Sequence, residues 1–158
     1  MKKILSLTLA LAMLGTALTG CGSKTAAPET SVEPTQQTAP YQQEQSQTEK
    51  ALALINTFAT GDTDTARSLL SDGYIQHNLA YGTGADAFIG SVEYLASADV
   101  KTTVNNIRAF EDGDKVFLQT IYNFAGAGEQ VAFDIFRFDE DGKIAEHWDV
   151  METIADQS

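Results

Sequence analysis

Cysteine is almost missing from this chain of 158 residues: there is one, Cys21, so no disulfide can form within it. Histidine is nearly as scarce, and neither His77 nor His147 belongs to a His/Cys cluster with zinc spacing, so no metal site is expected. Basic residues are few, 10 against 22 acids, for a net charge of −12. From Glu49 onward the ratio is 7 to 19, which argues against a nucleic-acid partner and against lying flat on an anionic membrane. The acidity reads as a source of solubility and says little about substrate. No apolar run has the roughly 20 residues that a membrane-spanning helix needs. The fragments "EDGD" and "DEDG" lack the spaced ligands and terminal Glu of a calcium loop and read as turns. Nothing in the sequence calls for a cofactor.

What is present begins with "MKKILSLTLALAMLGTALTGCGS", two lysines followed by an apolar run that ends in small residues. This is the pattern of a secretory signal peptide. Its end, "LTGC", resembles the lipobox of bacterial lipoproteins, and the resemblance implies that residues 1–20 are removed and Cys21 is acylated. Several acyl chains on one residue anchor a protein stably, at ~0.8 kcal/mol per buried methylene. The expected location is therefore the extracytoplasmic side of a bacterial cell membrane. Residues 21–47 contain all three prolines, with Thr, Ser, Gln and Glu and almost no aliphatic side chains. Such a segment cannot bury enough apolar surface to offset its ordering entropy, so it reads as a disordered tether.

Residues 48–158 form one domain of ordinary size. "TEKALALINTFATGD" places Ala51, Leu54, Ile55 and Phe58 at helical spacing and stops at Gly61. "DTDTARSLLSDGY" predicts a second helix, capped by Asp62 or Thr63, with Leu69 and Leu70 inward and Gly73 closing it. After an extended piece, "YIQHN", the segment "GADAFIGSVEYLASAD" predicts a third helix with Phe88, Val92 and Leu95 on one side. Four alternating segments then follow, "KTTVNNIRAF", "DKVFLQTIYNF", "EQVAFDIFRF" and "KIAEHWDVME", separated by short turn signals. Helices in one block and strands in the next predict an α+β fold, a curved antiparallel sheet packed on three N-terminal helices.

The last two strands hold the chemistry-bearing residues. With a two-residue Glu140-Asp141 turn, Asp134 would face His147 directly, on one side of the sheet and about 5 Å apart at Cβ. Asp149, two residues on, would share that side, surrounded by Ala132, Phe136, Ala145 and Met151. A one-residue slip would set Asp134 against Trp148 and break the cluster. The opposite side, with Val131, Phe133, Ile135, Ile144, Trp148 and Val150, is also apolar. A sheet apolar on both faces must cover both, so a second subunit is expected over the outer one, giving a homodimer.

"YIQHN", "AFIGSVEYL" and "FDIFRFDEDGKIAEHWDVME" together resemble the SnoaL-like polyketide-cyclase group, within the superfamily of nuclear transport factor 2 and ketosteroid isomerase. The resemblance covers nearly the whole domain, and its most specific part is C-terminal. It implies a cone-shaped sheet around a long helix, with a cavity at the open end for a small molecule. It also implies, for catalytic members, proton abstraction beside a carbonyl without metal or cofactor. On that model Asp149 is the candidate base, with Asp134 and His147 as its partners. His77 and Asn78 would donate hydrogen bonds to the enolate oxygen, while Phe136 and Met151 would touch the ligand. Relatives usually carry proline and a polar loop after the His-Asn pair; here Leu79, Ala80 and Tyr81 follow, so the loop at the pocket mouth differs. The same residues also fit a plainer reading. Asp134 and His147 could form a cross-strand pair that only tightens the hairpin, and His77-Asn78 a backbone-capping turn. Trp148, Phe133 and Tyr122 read as core. Two functions stay open: a cofactor-independent lyase or isomerase, and a binding module of the cell envelope without turnover.

Overall fold

The computed structural model describes residues 44–154. The expected signal peptide, the expected acylation site Cys21 and nearly all of the expected tether lie outside the described residues. Helix α1, Gln47–Thr60, starts at a capping box in which Ser46 and Glu49 exchange hydrogen bonds, each to the other's backbone N–H. It stops at Gly61, whose left-handed φ of 74° suits glycine. A side chain there is barred twice, since a Cβ would lie 2.7 Å from that of Ala96. Ala51, Leu54 and Ile55 are buried as their spacing predicts. Helix α2, Thr63–Leu69, is capped by Asp62, which accepts from the Thr65 N–H. Helix α3, Ala85–Ser97, buries Phe88, Ile89, Val92 and Leu95.

One correction concerns the end of α2. Gly73 does not close that helix: the chain passes straight into strand β1, Leu70–Gln76, with Gly73 inside it at an irregularity of the pairing. Strands β2 (Thr103–Asp112), β3 (Lys115–Asn123), β4 (Glu129–Phe138) and β5 (Ile144–Thr153) form the expected antiparallel run. The sheet order is β1-β5-β4-β3-β2, with β1 parallel to β5. The curved sheet is therefore mixed at one edge. One face packs on the helices, and the core is built from Leu54 and Ile55 of α1, Val92 of α3 and Val116, Tyr122 and Phe136 of the sheet.

The β4–β5 hairpin departs from the expected register in two compensating steps. Its loop has three residues, closed by the Asp139 N–H bonding to the Lys143 carbonyl, with Gly142 at φ 69°. The Asp139 carboxylate stabilises it by accepting from the N–H groups of Asp141 and Lys143. That extra residue alone would be the slip that places Asp134 against Trp148. A second irregularity follows, where Phe138 pairs with Ile144 but Arg137 with Glu146, leaving Ala145 as a bulge. Two single insertions restore the original alternation. Asp134 now faces Asp149, and His147 faces Phe136, rather than Asp134 facing His147. The sharing of one face by all four residues survives. Ile144, expected on the outer face, is instead fully buried in the core, because the bulge lies between it and the rest of β5.

Candidate functional site

A cavity of about 570 Å³ opens between the helices and the inner face of the sheet. Phe58 of α1 and Phe88, Tyr94 and Leu95 of α3 form one wall, and Tyr122, Phe124 and Met151 another. Its aromatic rings pack on one another: Phe58 lies 4.9 Å from Phe88, and Tyr122 stacks on Phe124 at 4.9 Å. Tyr74 and Gln76 enter from β1, and Tyr81 and Gly82 from the loop after it. Asp134, His147 and Asp149, with Gln76, Ser91 and Gln130, form the polar part of the lining. Among the described residues that line the cavity, none is Lys or Arg.

The hydrogen bonds fix the state of each polar group. The Asn78 backbone N–H donates to Gln76 Oε1 at 3.0 Å, so the other end of that amide is its NH₂. Gln76 Nε2 then donates to His147 Nδ1 at 2.9 Å and to Asp149 Oδ2 at 3.3 Å. His147 Nδ1 is thereby an acceptor, and its proton sits on Nε2, which donates to Asp134 Oδ1 at 3.2 Å. The phenol of Tyr122 donates to Asp134 Oδ2 at 3.0 Å. Asn78 Nδ2 donates to Asp149 Oδ1 at 2.6 Å, while its own carbonyl accepts from the Ala80 N–H. Phe136, fully buried, stacks on the His147 ring at 4.2 Å and holds it from behind.

Two carboxylates therefore face one another across β4 and β5, each side chain only 4 % exposed. At ~5 Å and an effective dielectric constant of ~20 their repulsion is ~3 kcal/mol. Four hydrogen bonds to charged oxygens, at ~1.5 kcal/mol or more each, offset this repulsion but not the cost of burying both charges. All four donors are neutral, so the pair is held in place without being neutralised. Burial, together with the charge and hydrogen bond of Asp134, pushes the Tyr122 phenol well above its ordinary range, and it remains a donor. Burial first, then the charges of Asp149 and Asp134, likewise raise the Tyr74 phenol. The Tyr74 hydroxyl is buried and has no hydrogen-bond partner.

The structure brings together Asp134, His147, Asp149 and Met151 around the cavity and sets Asn78 behind Asp149. It does not bring His77 there, and the expectation that His77 lies in the cavity with them does not match its position. His77 lies on the outer face, stacked on Trp148 at 4.3 Å and bonded to Glu146 Oε2 at 2.7 Å. Phe136 contributes from beneath His147 and is not part of the lining. Gln76 and Tyr74 are the residues sequence reasoning missed. Strand alternation through "YIQHN" carries the signal, since Tyr74 and Gln76 share a side and His77 takes the other. Tyr122, read as core, is both core and cavity wall. Among the described residues no group of three or more His, Cys, Asp or Glu is arranged to hold a metal ion.

A family model described as a SnoaL-like domain matches residues 51–147. Similar solved structures include an NTF2-like protein of unknown function from Cytophaga hutchinsonii, 16% identical, with a TM-score of 0.60. That match covers 70% of this chain and 94% of the other. A candidate polyketide cyclase from Bacillus cereus is 15% identical with a TM-score of 0.58, covering 67% and 74% of the two chains. An LEH-like epoxide hydrolase from M. tuberculosis is 18% identical with a TM-score of 0.56, covering 65% and 80%. At these identities the likeness shows the fold. A search of curated protein sequences finds no match.

Proposed function

The chain belongs to the SnoaL-like domain family, and on that premise we propose that its cavity binds a small, largely apolar carbonyl compound and that Asp149 removes a proton beside the carbonyl. No cofactor takes part. The observation that carries this reading is the pair of buried carboxylates at the floor of an apolar cavity. Asp149 takes the proton and becomes a carboxylic acid. The C–H electron pair moves towards the carbonyl, which becomes an enolate. Closure onto a second carbonyl, or return of the proton at another carbon, completes an aldol-type cyclisation or an isomerisation. Asn78 and Gln76 orient the carboxylate, and the unpartnered Tyr74 hydroxyl is the group left to meet the carbonyl oxygen.

A panel of ketones in deuterated buffer tests this. The wild-type chain should speed exchange of protons beside the carbonyl, and Asp149→Asn should lower that rate ~100-fold or more. A second reading, binding without turnover, is favoured by the position of His77 outside the cavity and by the engagement of both ends of the Asn78 amide. If ligands bind and no ketone exchanges faster than in buffer, the second reading stands and the enzyme reading falls.

The same proposal places the domain outside the cytoplasm, tethered by acyl chains on Cys21, as the lipobox-like "LTGC" supports. It also pairs the domain with a second copy through the outer face of the sheet. Phe110, Phe133 and Val150 are 57, 51 and 66 % exposed on that face, and Phe110 stacks on Phe117. Large apolar side chains exposed on neighbouring strands of one face support an interface.

A further inference from the structure

The cavity's charge sets a condition on what fills it. Asp134 and Asp149 face each other there, and their hydrogen-bond donors, Tyr122, His147, Gln76 and Asn78, are all neutral. His147 is the natural source of a compensating charge, yet Gln76 donates to its Nδ1. A second proton on that ring would break this bond. No Lys or Arg lines the cavity among the described residues. A buried negative pair without a cation is poorly compensated, and an anionic ligand would bring a third negative charge into the same apolar space.

We infer that the ligand carries a protonated nitrogen, seated where Asp134 and Asp149 face the cavity. This rests on the cavity being a small-molecule site and holds with or without turnover. An ammonium N–H donates to the carboxylate lone pairs that the protein's own donors leave open, since each oxygen accepts only one bond from the protein. The walls suit the same charge. Phe58, Phe88, Tyr122 and Phe124 present π-faces and edges around the site, and an organic cation draws on them through cation–π attraction. Tyr74 supplies a third and independent observation. Its hydroxyl is buried in the cavity wall with no hydrogen-bond partner, so the site is short of one polar group even with both acids satisfied. An amine that also bears an oxygen answers both needs. A metal ion does not, since no metal-binding arrangement occurs among the described residues and the walls are apolar. The ligand class is therefore a small apolar amine with an oxygen function.

Titration calorimetry on the full chain, with three naphthalenes of similar size bearing an aminomethyl, a hydroxymethyl or a carboxylate group, tests the inference. The amine should bind ~10-fold more tightly than the alcohol, and the carboxylate ~10-fold or more weakly than the alcohol. Raising the pH above the amine's own pKa should remove the amine's advantage, a readout that needs no variant. Asp149→Asn should bring amine and alcohol to within about threefold. Equal binding of amine and alcohol, or a carboxylate that binds as well as the alcohol, overturns the inference and leaves the small-molecule site standing. Ketone exchange without binding of any of the three probes does the same. If nothing binds and nothing exchanges, the reading of the cavity as a small-molecule site falls, and the inference with it.

Discussion

The side-chain nitrogen of Gln76 lies 2.9 Å from Nδ1 of His147, and the orientation of that amide is set by a backbone N–H two residues further along. A residue at the end of a parallel edge strand thus decides which nitrogen of a buried imidazole carries the proton. The proton on Nε2 points at Asp134, so the tautomer and the Asp134 contact are one arrangement. Gln76→Leu removes the donor and keeps the bulk. The ¹⁵N chemical shifts of His147 should change from a pure Nε2–H pattern to a mixture of tautomers. An unchanged pattern would mean that Asp134 alone fixes the ring.

Phe136 holds the other side of the same ring. It is fully buried and packs within the main core, so Phe136→Ala should cost ~3–5 kcal/mol in urea unfolding. Phe136→Leu, which keeps most of the volume, should cost far less while still loosening His147, visible as broadened imidazole signals. A loss below about 1 kcal/mol for the alanine variant would show that the cavity collapses onto the gap.

On the outer face, Glu146 accepts from His77 and Arg137. The His77 bond first, then the Arg137 bond, holds its carboxyl below the ordinary value of 4.5. A carboxylate with a depressed folded-state pKa contributes stability that is fully present above its unfolded value and is lost as pH falls through the folded one. Glu146→Gln should therefore be less stable than wild type above about pH 4.5 and converge with it in more acid solution. Parallel stability curves through that range would remove the link from the acid response.

The exposed phenyl ring of Phe133 lies near the middle of the apolar outer face, and Phe133→Asp adds a charge there with little effect on the core. The wild-type chain should sediment as a dimer and the variant as a monomer, with the cavity's ligand affinity unchanged. A monomeric wild type would leave the outer face without a second copy.

Cys21→Ser tests the anchor. In a bacterial host the wild-type chain should take up labelled palmitate and fractionate with membranes, whereas the variant should do neither. Label in the variant would place the modification elsewhere.

Much of the fold could be read from side-chain period. The buried stripe of α1, its stop at Gly61 and the four C-terminal strands follow from spacing and turn residues, and so does the shared face of Asp134, His147 and Asp149. Three things could not be read that way. The bulge at Ala145 has no distinctive residue pattern, because it is settled by how the strands pair, and without it the three-residue loop signalled by the left-handed Gly142 points to the wrong register. The parallel contact of β1 with β5 joins segments about 70 residues apart, and no local preference records it. Gln76 gives no signal by residue type, whereas His77 suggests chemistry by type, and the alternation that turns His77 outward is a matter of position.

The loop at Gly142 and the bulge at Ala145 together act like a pair of frameshifts that cancel. Between them lie only two residues, Lys143 and Ile144, and everything C-terminal is read in the restored phase. Evolution or engineering can therefore lengthen or shorten this hairpin only in even steps. A change of one residue in either place would turn β5 over, carrying Trp148 and Val150 into the cavity and both His147 and Asp149 out to the surface. The site's composition is in this sense stored in a count of residues that do not themselves line it.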